Sequence, residues 1–252
     1  MLTFVEQHDE HKQIFSRQMV IDFSQCNEKR ELYLFELLRI SSDTATEDYK
    51  ERGMSAEFLQ DHGYAMLVSR QAFRFHRMPR ENDFVTLETW EETPEPIQLV
   101  RGYRFIDKNG APLISGISSW IIVDPKSRRI VRPSEFTLRE PPVFHRELDC
   151  MKFGKISIPK DLQKLSERHI CFSDIDANGH MNNARYGAYA IDSLPVEYQQ
   201  KKFSDFRINF SKEARRGDLM EMFGSFNDEQ KKAVIVGRHD GITSFECEFY
   251  WK

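Results

Sequence analysis

The chain has no long hydrophobic run, no paired cysteines and no excess of positive charge. Its strongly apolar stretches, such as residues 120–123, fall far short of the roughly 18 residues that a membrane span needs. The first residues, Met1-Leu2-Thr3-Phe4-Val5-Glu6, lack a basic stretch followed by an apolar one, so no secretory signal is expected. The four cysteines, Cys26, Cys150, Cys171 and Cys247, are scattered without a C-x-x-C pair. That argues against a disulfide scaffold or a zinc site and fits a reducing, cytoplasmic setting. With 36 basic and 40 acidic side chains the net charge is −4, so an overall basic nucleic-acid binder is excluded. No G-x-x-x-x-G-K or G-x-G-x-x-G stretch occurs, and no nucleotide cofactor is indicated. Gly116-Ile117-Ser118-Ser119-Trp120 fails the nucleophile-elbow pattern at its fifth position. His8-Asp9-Glu10-His11 is read as a solvated N-terminal segment, and no metal or other cofactor is expected.

What is present is an ordinary globular composition, 40% hydrophobic and 30% charged, over 252 residues. It is organised as an internal repeat. Ile21-Asp22-Phe23-Ser24 matches Ile170-Cys171-Phe172-Ser173, 149 residues on. Phe75…Arg80…Asp83-Phe84 matches Phe210…Arg215…Asp218-Leu219, and Gly110…Trp120 matches Gly241…Trp251, at spacings of 135 and 131. A constant order with a shrinking spacing is what duplication followed by loop shortening produces.

Each copy begins with a short strand, residues 15–23 and 167–172. A helix follows, 31–40 with Leu34, Leu37 and Leu38 at helical spacing, and 183–194 with Ala184, Gly187, Ala188 and Ile191 on one face. In the first copy four strands come next, near 65–76, 84–92, 98–107 and 113–123. Asn109-Gly110 and Asp240-Gly241 mark hairpin turns. The order is α+β, and a sheet wrapping one helix is a hotdog unit. The small residues of the second helix predict that a sheet closes tightly on it. The expected organisation is a tandem hotdog packed as a pseudo-dimer: an N-terminal unit over residues 1–137, a linker over 138–165 containing Pro141-Pro142 and Pro159, and a C-terminal unit over 166–252.

The chemistry concentrates in Asp176-Ala177-Asn178-Gly179-His180-Met181-Asn182-Asn183, between a strand and the second helix. A helix start there offers unpaired N–H groups and the positive end of a dipole, suited to a developing oxyanion. Met181 and Asn182 are the candidate donors. The first copy has Asn27, Lys29 and Glu31 where the second has Asp176, Asn178 and His180. The fold position therefore manages without the cluster, which favours a functional reading in the second copy. Glu213 stands where the first copy has Met78, and Asp83 and Asp218 recur as turn formers.

The run D-x-N-x-H-x-N-N at residues 176–183, followed by Glu213 and Gly217-Asp218, resembles the acyl-acyl-carrier-protein thioesterases of bacteria and plant plastids. The resemblance covers nearly the whole chain. It implies that Asn178 and His180 act at a thioester, that Glu213 helps activate water and that Asp176 steadies the loop. Plant members place Cys beside that glutamate, whereas this chain has Ala214, and Cys171 lies before the loop. Direct attack by water is therefore the simpler expectation. The resemblance also implies an acyl-chain site in the N-terminal unit and acyl carrier protein as the partner. An acidic carrier needs a basic patch on this net-negative chain. The candidates are Arg215-Arg216, Lys201-Lys202, and Arg128-Arg129 with Arg132. Acyl-coenzyme A hydrolysis, a hotdog dehydratase and a non-catalytic acyl-binding protein are the rival readings. No nucleic acid or membrane is expected, and a homodimer is left open.

Overall fold

The computed structural model describes residues 5–252. The first half contains β1 (Glu6–His8), β2 (Ile14–Val20), α1 (Leu34–Glu51), α2 (Ala56–Asp61), β3 (Ala65–Phe75), β4 (Phe84–Glu95), β5 (Gln98–Asp107), β6 (Pro112–Val123) and β7 (Ile130–Val131). The second half contains β8 (Gln163–His169), α3 (Asn183–Ser193), α4 (Val196–Gln199), β9 (Phe203–Phe210), β10 (Leu219–Asn227), β11 (Lys232–His239) and β12 (Ile242–Trp251).

All the strands join one 12-stranded sheet in the order β1-β2-β4-β5-β6-β3-β9-β12-β11-β10-β8, with β7 on β6. Every pairing is antiparallel. The order β2-β4-β5-β6-β3 in the first half is repeated as β8-β10-β11-β12-β9 in the second. The halves meet where β3 pairs with β9, Gln71 opposite Ile208 and Phe73 opposite Phe206. Each half wraps its own long helix, and this is the tandem hotdog. One apolar core runs through both halves, with Leu38, Phe73, Phe206, Phe245 and Phe249 among its buried members.

Several elements depart from the sequence expectation for identifiable reasons. The first helix starts at Leu34 rather than 31 and runs on to Glu51, because its buried stripe continues through the polar residues Ser41, Thr44 and Asp48 as well as Ala45 and Tyr49. The strand expected at 167–172 is Gln163–His169, so its first three residues lie within the expected linker. It pairs only with β10, at the edge of the sheet. Leu165 is its single apolar residue, and no alternation announces it. The small face of α3 meets a helix rather than a sheet: a side chain at Gly187 would come within 2.6 Å of Leu38. The N-terminal segment is not simply solvated, since β1 pairs with β2 and His8 Nε2 lies 2.7 Å from the Asp48 carboxylate.

The connector after β7 lies across the outer face of the sheet. The Phe144 carbonyl accepts from the Thr93 N–H, and the Arg146 guanidinium sits 4.8 Å above the Trp90 ring. Further on, the Asn209 amide donates to the Gly154 carbonyl, and Ile156 packs on Val234 and Val236. Thus the connector touches both halves before β8 begins.

Candidate active site

The loop of residues 174–183 is built on a buried carboxylate. Asp174 is fully buried and accepts from the Cys171 N–H at 2.9 Å, Tyr189 Oη at 2.8 Å and Arg185 Nε at 2.9 Å. Burial alone raises the Asp174 carboxyl, but these donors outweigh it and hold the group below the usual range. Its carbonyl accepts from the Asn182 N–H, fixing the loop exit. Asp176 then folds the loop on itself: one oxygen, Oδ1, accepts from the Asn178 N–H at 2.8 Å and the His180 N–H at 3.4 Å. Gly179 occupies the left-handed region at φ 78°, which favours a residue without Cβ. The Asn182 side chain caps α3 by accepting from the Ala184 N–H.

The same scaffold is present in the first half. Asn27 Oδ1 accepts from the Lys29 and Glu31 N–H groups at 2.9 and 3.2 Å. Leu32 donates to the Pro79 carbonyl just as Met181 donates to that of Ala214, both at 2.8 Å. The acceptor at position 176 therefore belongs to the fold. The differentiation lies in His180 and Glu213. The Met181–Ala214 bond draws the loop onto the segment between β9 and β10, and His180 Nε2 comes to 3.2 Å from Glu213 Oε2. These side chains are 27% and 34% exposed, open to a substrate yet partly shielded. In the first half Glu31 pairs instead with Arg80 at 3.0 Å, and Met78 offers no charge.

Three features of the site were not foreseen as part of it. Arg128, on the turn between β6 and β7, places Nη2 2.6 Å from Glu213 Oε2, so the first half reaches the carboxylate. Sequence reading had offered Arg128 only as part of a surface patch. His239 at the end of β11 is buried, with Nε2 3.2 Å from the Glu213 carbonyl. Its position next to the Asp240-Gly241 turn was the available signal. The Tyr186 hydroxyl accepts from the Ala214 N–H, and burial pushes its pKa up, keeping it protonated.

The remaining expected residues divide. The Asn178 side chain is exposed and makes no hydrogen bond among the described residues. The proposed oxyanion donors Met181 and Asn182 are already engaged, donating to the Ala214 and Asp174 carbonyls. Of the amides at residues 181–184, only that of Asn183 has no partner among the described residues. Arg215 and Arg216 are exposed on the Glu213 turn, with Arg216 over the Phe172 ring at 5.7 Å. Lys201 and Lys202 instead line a cleft beside the first half's loop, with Asn27 and Glu31. Cys171 is exposed, outside β8. Among the described residues no group of three or more His, Cys, Asp or Glu side chains converges as a metal cage would.

Two sheet-wrapped helices in tandem, only one carrying a His–carboxylate pair on its loop, define a tandem hotdog with a single differentiated site. The chain belongs to the acyl-ACP thioesterase family. The model of that family's N-terminal domain matches residues 12–137 and that of its C-terminal domain matches residues 159–250. A chloroplastic oleoyl-acyl carrier protein thioesterase of Coriandrum sativum is 24% identical over 190 residues, covering 68% of this chain and 50% of that one. A chloroplastic palmitoyl-acyl carrier protein thioesterase of Gossypium hirsutum is 23% identical over 197 residues, covering 72% and 45%. The chain thus spans about half the length of these curated relatives. Among solved structures, an acyl-ACP thioesterase from Bacteroides thetaiotaomicron superposes with a TM-score of 0.88 at 22% identity, over 97% of this chain and all of that one. The 12:0-ACP thioesterase from Umbellularia californica gives 0.80 at 17% identity, over 95% and 97%. At these identities the superpositions establish the fold.

Proposed function

We propose that this chain hydrolyses the thioester of fatty acyl-acyl carrier protein, releasing free fatty acid and ending chain synthesis. The observation that carries the reading is the 3.2 Å approach of His180 Nε2 to Glu213 Oε2 on a loop whose counterpart in the first half lacks both groups. A thioester is already activated, so what remains is to orient water, accept its proton and stabilise the oxyanion. Water held between Glu213 and His180 attacks the carbonyl carbon. A C–O bond forms, the carbonyl π electrons move onto oxygen, and the pair takes the proton. The Asn178 side chain and the Asn183 N–H are the unengaged donors on this loop for that oxygen. Collapse of the tetrahedral intermediate breaks the C–S bond, and the departing thiolate takes the proton back. Asp176 keeps the loop folded.

In this reading the C-terminal unit, 166–252, is catalytic and the N-terminal unit, 1–137, holds the acyl chain. Arg215 and Arg216, beside Glu213, receive the acidic carrier in a cytoplasmic setting. Coenzyme A thioesters would meet the same chemistry. The test is release of fatty acid from acyl-carrier-protein and acyl-coenzyme A substrates. Glu213→Gln and His180→Ala are each expected to lower kcat by about 10²–10⁴-fold, the usual worth of general acid–base catalysis. Near-native rates in both folded variants overturn the assignment. A preference for the coenzyme A substrate overturns the choice of carrier.

A further inference from the structure

The cleft beside the first half's loop lies at the repeat position that corresponds to His180 and Glu213, and its chemistry has been remade. It encloses about 660 Å³, within the range of small-molecule sites. One wall is the Asn27–Leu34 loop, folded like the catalytic loop, and the other comes from α3, α4 and the residues after them. Two bonds tie the walls together: Lys29 Nζ donates to the Gln199 carbonyl at 2.7 Å, and the Gln200 amide donates to Glu28 at 3.0 Å. Hydrolysis is not available here. Met78 occupies the position of Glu213, and Glu31, at the position of His180, is neutralised by Arg80.

Replacing the carboxylate by a thioether turns the floor apolar, with Leu34, Phe75, Ile191, Phe203 and Phe249 beside Met78. The rim carries five cations, Lys29, Arg77, Arg80, Lys201 and Lys202, against the three acids Glu28, Glu31 and Asp192. Arg77 pairs with Asp83 at 2.7 Å, Arg80 with Glu31 at 3.0 Å and Lys201 with Asp228 at 3.8 Å, while Lys29 meets no carboxylate among the described residues and donates to the Gln199 carbonyl. Among the described residues Lys202 has no carboxylate within ion-pair distance. An apolar floor under a cationic rim selects one kind of ligand.

We infer that this cleft is a second, non-hydrolytic site that binds an apolar chain ending in an anionic head, either a carboxylate or a phosphate. The site stands apart from the hydrolytic reading, since it uses none of His180, Glu213 or Arg128.

The test is calorimetric titration of the full chain with dodecanoate and with dodecyl phosphate, below their micelle concentrations, and with dodecanol as the uncharged control. Met78→Trp fills the floor and Arg77→Glu reverses a rim charge. At least one anionic probe is expected to bind a site that Met78→Trp weakens tenfold or more and Arg77→Glu threefold or more. Dodecanol is expected to bind at least tenfold more weakly. The tighter of the two anions identifies the head group. Thioester hydrolysis at low substrate should stay within twofold of the parent in both variants. Circular dichroism checks their folding, and if Met78→Trp does not fold, Arg77→Glu alone decides. Equal anion binding in parent and folded variants, no binding of either anion, or dodecanol binding as tightly as dodecanoate overturns the proposal. Loss of hydrolysis in Glu213→Gln leaves this titration unaffected, so the two readings fail separately.

Discussion

Asp176 shows how a repeat separates structure from chemistry at a single residue. Its Oδ1 accepts two loop N–H groups, and Asn27 Oδ1 accepts the matching two in the first half. An amide oxygen therefore does the same work. Asp176→Asn is expected to keep the parent melting temperature within error. Asp176→Ala is expected to lose about 1–2 kcal/mol, the cost of leaving turn N–H groups without their acceptor. Thermal denaturation followed by circular dichroism distinguishes them. A large loss of stability in the Asn variant would mean that the carboxylate charge, and not its acceptor geometry, holds the loop. The central part of the site was legible because His180 stands out against Glu31, and Glu213 against Met78. Arg128 and His239 were not legible as site residues. Arg128 reaches Glu213 from 85 residues away, and His239 acts through a backbone carbonyl, so no local pattern records either contact.

At the scale of elements, α1 and α3 cross where Gly187 faces Leu38, and the missing side chain sets how closely they pack. A Cβ there would lie 2.6 Å from a Leu38 methyl. Gly187→Val is expected to destabilise the protein by about 1–3 kcal/mol, as overpacking does. It should also lower activity, because the first turn of α3 carries the loop that bears His180. Denaturant unfolding and turnover on the same sample measure both effects, and an unchanged midpoint would show that the helices yield without cost. The five long strands of the first half were legible to within three residues at their ends, through alternation and the Gly-containing turns, whereas the short β1 and β7 were not. Both residues of the Asp240-Gly241 turn have positive φ, 51° and 72°, as a tight hairpin needs. The extent of α1 was not legible, because its buried face uses Ser41, Thr44 and Asp48. Ser41 satisfies its hydroxyl within the helix, on the Leu37 carbonyl, whereas Asp48 depends on the fold, meeting Arg101 from β5.

Across the whole molecule, stability at low pH rests on buried ion pairs in both halves. Burial alone raises the Asp48 carboxyl, but Arg101, Arg52 and His8 outweigh it and the group lies below its ordinary 3.8. Glu248 in the second half is likewise held below 4.5 by Arg207 and Lys232 against its burial. A carboxyl lowered in the folded state binds protons more readily when unfolded. Its contribution is thus complete above the unfolded value, near pH 4, and disappears as pH falls through the lowered folded values. Unfolding free energy should be flat in this respect above about pH 5 and fall steeply below pH 4. Asp48→Asn should flatten part of that slope. It should also cost about 3–5 kcal/mol at neutral pH, by leaving Arg101 buried without its partner. Guanidinium titrations across pH 3–7 measure both, and an unaltered slope would remove Asp48 from the account.

The pairing of β3 with β9 also has a consequence in terms of mass action. Were the halves separate chains, that seam would form only above a threshold concentration, and dilution would part them. Carried on one chain, the seam forms at the effective concentration set by the connector, so its strength is independent of how much protein is present. Each half is also encoded separately. A substitution such as Met78 for glutamate appears once instead of at two symmetric places, and one cleft can change its ligand while the other keeps its reaction.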